Sequence, residues 1–253
     1  MIQEVLFDRD LLAKNKLRAR SKFLDHNFLH HEVANRIAEN VKFLNREFKD
    51  ILEIGAMDDY LSKQVNEGGA QYKFMEDAEI LPFEKESFDL ILSNLNFHYI
   101  NQIPQFLINV KEVLKPGGVF IASFFGEENL SELAHVLYET ENEIYNGVSP
   151  RMPPTIDVKT AASLLQKAGF QNPISDFAKI EVEYSDPLNL LKDLKMMGQG
   201  NVMVKRSRKF FTKEFLNKIS QNYKKIYPSG VATFEVVTVT GWKEDPASIS
   251  TTA

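Results

Sequence analysis

Three short apolar runs recur along this chain, each separated from the next by a stretch with helical spacing. They are Ile51–Ile54, Phe88–Ser93 (FDLILS) and Val119–Phe125. Near-continuous apolar strands of this length need cover on both faces. That requirement points to parallel pairing with crossover helices. The segments between them supply the helices. Asp58 to Asn66 is closed by Gly68–Gly69, and Pro104 to Leu114 by Lys115-Pro116-Gly117-Gly118; both are helix-stop signals. A short strand, Tyr72–Met75, lies between. The alternation predicts an α/β fold with a doubly wound, mostly parallel sheet.

Outside this region the pattern changes. Upstream, residues 8 to 22 place Arg9, Lys14, Lys16, Arg18, Arg20 and Lys22 around Leu11, Leu12, Leu17 and Ala19. This is a basic amphipathic helix, read either as a solvated face or as a membrane- or partner-binding one. A second helix over Phe28–Phe43 carries Leu29, Val33, Ile37 and Val41 at helical spacing. Downstream, helices are expected over 127–145, 157–168, 187–197 and 212–225. Strands are expected at Ile180–Tyr184 and, rich in Val and Thr, at Phe234–Trp242. The predicted organisation is one domain. Residues 1–45 form N-terminal helices, 46–126 a nucleotide-binding-type half, 127–229 a mixed segment with a helical cap, 230–244 the last strand and 245–253 a tail.

Composition narrows the function. The 253 residues suffice for one well-buried domain with an inserted cap. A formal charge of −5 gives no global electrostatic case for nucleic acid. The absence of cysteine excludes disulfides, thiol catalysis and thiolate metal sites. No apolar run is long enough to span a bilayer, and the acidic N-terminus lacks the layout of a secretory signal. A cytoplasmic, bacterial protein is expected. His26, His30 and His31, with Asp25 and Glu32 nearby, are the candidate cluster for an iron triad. They lie on what reads as a surface helix rather than converging on a point, so no metal is expected.

Several longer stretches resemble a known superfamily. "DAEILPFEKESFDLILSNLNFHYI" (77–100), "VLKPGGVFIASFFGEENLSEL" (113–133) and "LLQKAGF" (164–170) resemble class I methyltransferases that use S-adenosylmethionine. "LFDRDLLAKNKLRA" (6–19), "FLHHEVANRIAENV" (28–41), "DLKMMGQGN" (193–201) and "VTGWK" (239–243) resemble, more narrowly, the respiratory complex I assembly factor 5 family. That family is close to the malonyl-carrier methyltransferases of biotin synthesis. The resemblance implies a seven-stranded Rossmann-like sheet with an antiparallel last strand and a helical cap. It implies a cofactor pocket at the carboxyl ends of the strands. It also implies a partner, a subunit of complex I, on which some family members modify an arginine by hydroxylation.

Against that pattern, the first-strand loop of "ILEIGAMDDYL" (51–61) keeps Glu53 and Gly55 but puts Met57 and Asp59 where two more glycines belong. Glycines there permit the tight turn and the close approach of backbone to ligand. Asp58 and Asp59 suit a plain helix start but would repel a ligand carboxylate. Only about a dozen residues separate Asp77 from the next strand, too few for a further βα unit, which takes at least ~10–12 for its crossover. A shortened sheet of about six strands is therefore expected.

The resemblance assigns Glu53, Gly55, Asp77, Ala78 and Asn94 to cofactor binding and makes His98 the catalytic candidate. Tyr99, Phe125, Arg151 and Met197 become substrate-side candidates. Three functions stay open: an S-adenosylmethionine-dependent protein modifier, a non-catalytic assembly protein on the same fold, and a malonyl-carrier methyltransferase.

Overall fold

A computed structural model describes residues 5–65, 69–75, 79–209 and 211–246. In chain order the helices and strands are α1 (Arg9–Ala19), α2 (Phe28–Phe43), β1 (Asp50–Ile54), α3 (Tyr60–Val65), β2 (Gln71–Met75), β3 (Phe88–Ser93), α4 (Ile103–Val113), β4 (Leu114–Phe125), α5 (Ser131–Tyr145), α6 (Val158–Lys167), β5 (Gln171–Glu183), α7 (Pro187–Met196), α8 (Lys213–Ile226) and β6 (Val231–Trp242). Two compact units share them. The sheet unit comprises Phe28–Gly126, Ile156–Phe177 and Val236–Ala253, and the cap unit Met1–Asn27, Glu127–Thr155 and Ala178–Glu235.

The strands form one sheet of order β2-β1-β3-β4-β6-β5. The β1–β2, β1–β3 and β3–β4 pairs are parallel, and β6 runs antiparallel to β4. This is the shortened Rossmann-like sheet expected, six strands with a reversed late strand. Every residue of β3 is buried, as are the last four of β1, which is why these strands read as continuous apolar runs. At the sheet's outer end, β2 is largely exposed. Asp89 holds the start of β1 by accepting from the Lys49 and Asp50 amides at 2.9 and 3.0 Å. The core of the sheet unit includes Ile91, Phe97, Phe106, Leu107, Phe120, Phe124, Leu165 and Phe170.

Several boundaries move, four of them for a plain local reason. Helix α3 begins at Tyr60 rather than Asp58, because the Asp58 side chain accepts from the Tyr60 amide at 3.1 Å and so caps the helix from outside. Helix α5 begins at Ser131, after Leu130 in the left-handed region at φ 53°. The Lys115–Gly118 segment ends α4 as expected but already belongs to β4. Gly118 O accepts from Lys243 N at 2.9 Å and Gly117 N donates to Lys243 O at 3.1 Å. Strand β5 is far longer than Ile180–Tyr184. Its first half is mostly exposed, which an edge strand tolerates, so the alternation there is masked by polar residues.

In the cap unit, α5 packs on α8. Leu133, Val136 and Leu137 are buried from α5, and Phe215, Ile219 and Tyr223 from α8. Asn222 donates to Thr140 at 3.1 Å inside this contact, and the Tyr223 hydroxyl donates to Val231 O at 2.7 Å. Buried polar groups paired in this way avoid the cost of unmet hydrogen bonds. Among the described residues no helix is long and apolar enough to cross a membrane.

Candidate functional site

The carboxyl ends of β1 and β3 lie side by side, with Ile54 opposite Ser93. This brings together Glu53, Gly55 and Asn94 of the expected cofactor set. Glu53 is 2% exposed and its Oε2 accepts from the Tyr72 hydroxyl at 2.8 Å. Burial pushes the Glu53 carboxyl up to about 7; the Tyr72 bond opposes that rise, and the charges of Asp58 and Asp59 add to it. Burial, then Glu53 itself, raises Tyr72 strongly, so the phenol stays protonated as the donor.

Gly55 has φ +82° and its amide donates to Met75 O at 2.9 Å. A Cβ at Gly55 would lie 2.8 Å from Asn96 Cβ and closer still to the Asn96 carboxamide. Asn96 is buried. The glycine is thus required by the protein's own packing, on the left-handed side of φ and against a neighbouring side chain.

The rest of the loop is tied down internally. Asp58 Oδ1 caps α3 and its Oδ2 pairs with His31 Nε2 at 2.8 Å. The His31 ring stacks on Tyr60 with centroids 3.7 Å apart and planes 10° off parallel. The Tyr60 hydroxyl donates to Asn35 at 3.1 Å. Asp59 pairs with Lys63 one turn on. Helix α2 therefore holds the loop through His31 and Asn35.

S-adenosylmethionine presents a carboxylate, an ammonium and a sulfonium. The acidic loop complements the two cations. The carboxylate meets the reverse situation, because Asp58 already occupies the Tyr60 N–H and the neighbouring charges are negative. Among the described residues the Tyr60 N–H at the start of α3 is therefore not offered to the cofactor's carboxylate. Asp77 and Ala78, expected to touch the adenine, lie outside the described residues, as does Glu76.

On the β3 side, the Asn94 amide donates to His30 O at 2.9 Å, and its oxygen accepts from Ser123 Oγ at 3.3 Å. Ser123 Oγ also accepts from the Leu95 amide at 3.0 Å. Asn94 ties β3 to α2 and β4, a positioning role within the sheet unit. His98, the catalytic candidate, lies beside Tyr99 and Phe125, two of the substrate-side candidates. All three are buried, and the His98 ring centroid lies 4.1 Å from Tyr99 and 4.9 Å from Phe125. His98 sits on a short 3-10 turn, Phe97–Tyr99.

Arg151 and Met197 belong to the cap unit. Met197 is fully buried. Arg151 pairs with Glu141 at 2.7 Å, the two side chains 10% and 3% exposed. Its guanidinium lies over Phe211 and Phe215 at 4.8 and 5.0 Å. Burial raises the Glu141 carboxyl, but bonds from Ser149 and Arg151 outweigh it and hold the group below its ordinary value. Arg151 is thereby engaged within the cap unit rather than presented to a substrate.

The surface-helix reading of the three histidines is corrected. His30 is buried, His31 belongs to the loop clamp, and His26 Nδ1 pairs with Asp193 at 2.6 Å. Among the described residues no group of three or more His, Asp or Glu could hold a metal. Sequence reasoning missed Tyr72, the pairing of His31 with Asp58 and the packing of Asn96 against Gly55. His31 sits three residues past the start of α2, and nothing in its spacing links it to Asp58. The signal for Tyr72 was its register on the strand beside β1.

Two of the segments that carry the narrow family likeness, 6–19 and 193–201, lie beside one another in the cap unit. Phe7 and Met203 form an antiparallel bridge. Asp8 N donates to Val202 O and Val204 N to Leu6 O, both at 2.8 Å. Asp8 also caps α1 through Leu11 N at 2.9 Å. A Cβ at Gly198 would touch Lys16 at 3.3 Å, and one at Gly200 would touch Asn15 at 3.1 Å. The two segments thus share one packing contact, FDR against Val202–Val204 and the MMGQGN glycines against α1.

Comparison with known proteins follows the same lines. Residues 29–122 match the family model described as "Methyltransferase domain". The rat protein named "Arginine-hydroxylase NDUFAF5, mitochondrial" is 30% identical over 266 residues, covering 94% of this chain and 77% of the relative. A malonyl-[acyl-carrier protein] O-methyltransferase of Gallionella capsiferriformans is 30% identical over 183 residues, covering 71% of this chain and 60% of the relative. Among solved structures, the YcgJ protein of Bacillus subtilis superposes with a TM-score of 0.52 at 14% identity, covering 85% of this chain and all of that one; this is a likeness of fold. The match to NDUFAF5 runs through 94% of the chain, and the chain belongs to the NDUFAF5 family, on a class I methyltransferase fold.

Proposed function

We propose that this protein acts in the assembly of respiratory complex I by taking up a client subunit and modifying one of its arginines. The observation that carries the reading is the 30% identity to the arginine-hydroxylase NDUFAF5 along 94% of the chain. Electrostatics support it. Glu53, Asp58 and Asp59 make the loop at the end of β1 negative enough to help raise the Glu53 carboxyl, and a guanidinium is the complementary ligand. The malonyl-carrier reading is not favoured, because that relative is matched over a smaller share of both chains.

The decisive measurement is mass spectrometry of complex I subunits incubated with the protein, with and without S-adenosylmethionine. Gain of one oxygen on an arginine, taken from dioxygen with two electrons from an added reductant, identifies hydroxylation, and gain of one CH2 from the S-adenosylmethionine methyl identifies methyl transfer. Calorimetric titration with S-adenosylmethionine and its demethylated product reports on the cofactor separately. A client that is captured but gains no mass refutes the enzyme.

The closed loop favours a second reading: a family member that holds its client without chemistry. Its support is that Asp58 is already engaged by His31 and by the Tyr60 amide, and that the sheet has six strands rather than seven. Client capture with no heat of cofactor binding is the outcome it requires. A cytoplasmic setting is proposed, and any membrane contact would be peripheral, through α1.

A further inference from the structure

The sheet unit carries a cavity at the end of the sheet away from Gly55. Its volume is about 1040 Å³, the scale of a site for a small organic ligand. It opens between the end of α2, the loop 45–49 and the starts of β1 and β2. Strand β1 runs from Asp50, on the cavity wall, to Ile54, beside the Gly55 loop. At ~3.3 Å per residue the two ends lie roughly 13 Å apart. The cavity is therefore distinct from the loop on which the client and cofactor readings rest.

Its lining combines apolar and cationic groups. Ala38, Val41 and Ile51 belong to it and are 4%, 7% and 1% exposed. Lys42, Arg46 and Lys49 also line it, and all three are exposed. Arg46 is held in place. Its Nη1 donates to Gly117 O at 2.6 Å, and its guanidinium lies 4.8 Å from the centre of the Phe48 ring. A guanidinium anchored through one N–H keeps other donors for an oxyanion. Two acids share the lining, Glu47 and Asp50, but Asp50 is paired with Lys115. The balance of charge is positive. The negative end of α2 is met by the chain itself, since Val41 O accepts from Leu44 N and Lys42 O from Asn45 N, both at 3.1 Å.

We propose that this cavity binds a small amphipathic anion, a carboxylate or phosphate ester with an apolar body. The cations call for the acid group, with Arg46 as its fixed anchor. The buried apolar side chains call for the body, because a fully hydrated anion would leave them in contact with water. An acidic protein segment is less suited, since it would meet the cations without filling the apolar floor. The inference goes beyond the client reading. Its test contains no client, arginine substrate or S-adenosylmethionine, so either can fail alone.

The test is fluorescence titration of the full chain with anilinonaphthalene sulfonate, an amphipathic anion, and with phenylnaphthylamine, the same rings without the sulfonate. The sulfonate should bind about ten-fold more tightly than the amine, a difference of about 1.4 kcal/mol. Arg46→Gln and Lys49→Gln should each weaken sulfonate binding about ten-fold, with circular dichroism melting as the check that each variant is folded. Hydrogen exchange locates the site: the bound sulfonate should protect residues 38–51 and leave residues 54–63 unchanged. Phenylacetate or phenyl phosphate should displace the dye, and the stronger competitor names the acid group. Absence of sulfonate binding, equal affinity for the amine, folded variants that bind like the parent, or protection of 54–63 in place of 38–51 would each overturn the proposal. So would displacement by polyglutamate but by neither small acid, since the cavity would then be a dock for an acidic protein segment.

Discussion

Replacing Gly55 by alanine separates the two uses a glycine can have at the end of β1. If the glycine exists to admit a ligand, Gly55→Ala should leave stability almost unchanged and impair only binding. The packing predicts otherwise. At φ +82° an L side chain is in the left-handed region and costs roughly 1–2 kcal/mol. The new Cβ would also lie 2.8 Å from Asn96 Cβ, with the carboxamide nearer still, and Asn96 is buried. Its retreat would disturb the turn that carries Phe97, His98 and Tyr99. Overpacking of this kind costs about 1–3 kcal/mol. The two effects together give a loss of about 3 kcal/mol. Urea unfolding followed by circular dichroism should show it as a lower midpoint at unchanged slope. The double variant Gly55→Ala/Asn96→Ala should recover the overpacking part and leave the backbone part, a coupling of about 1 kcal/mol or more. A loss below about 0.5 kcal/mol for Gly55→Ala, within the range of an ordinary surface change, would refute the packing account and return the glycine to a ligand. So would strict additivity with Asn96→Ala.

Glu53 predicts a pH dependence. Its folded value of about 7 lies above the ordinary 4.5, so the folded state binds more protons between those values and stability falls as pH rises through that window. The loss should amount to at most about 3 kcal/mol and should level off above pH 7. Glu53→Gln should remove the slope, read as urea midpoints at pH 5 and pH 8, and a parental slope in the variant would contradict the assignment. Asp58→Ala should cost about 1–2 kcal/mol through the lost α3 cap and His31 pair, whereas Asp59→Ala should change nothing measurable because its pair is exposed; thermal melts of both variants compare them directly. Arg151→Ala should cost about 3–5 kcal/mol by stranding the buried Glu141 carboxylate. Arg151→Lys should recover only part of that, because an ammonium cannot both fork onto Glu141 and lie flat over Phe211 and Phe215.

Much of the sheet unit was legible because its strands obey local rules. FDLILS is buried at every residue of β3, and the α2 limits follow directly from its four apolar positions. The shortened sheet could be counted, since the chain between Asp77 and Phe88 cannot hold another crossover. The site was less legible, because its determinants are contacts between elements. Glu53 and Gly55 were visible as a motif. That Gly55 answers to Asn96, and that Asp58 answers to His31, depends on how β3 and α2 arrive beside β1. A motif reading assigns Asp58 to a helix start and stops there. The geometry adds that the same carboxylate has a second bond, to a histidine clamped against Tyr60, and this turns a missing glycine into a closed loop. Arg151 failed in the opposite direction. An arginine after a proline-rich turn looks available for a substrate, but Glu141 lies ten residues earlier on α5 and no periodicity announces that it turns inward. The family signatures show the same effect at larger scale. "FDR" and "MMGQGN" lie far apart in the chain, yet the backbone around FDR pairs with Val202–Val204, directly after MMGQGN, and the two glycines of MMGQGN pack on α1, directly after FDR. Their pairing accounts for their joint presence by packing alone, so the likeness they carry identifies the family without locating its chemistry. The chemistry has to be sought where charge and burial conflict, at Glu53, the one buried carboxyl raised to near neutrality among the described residues.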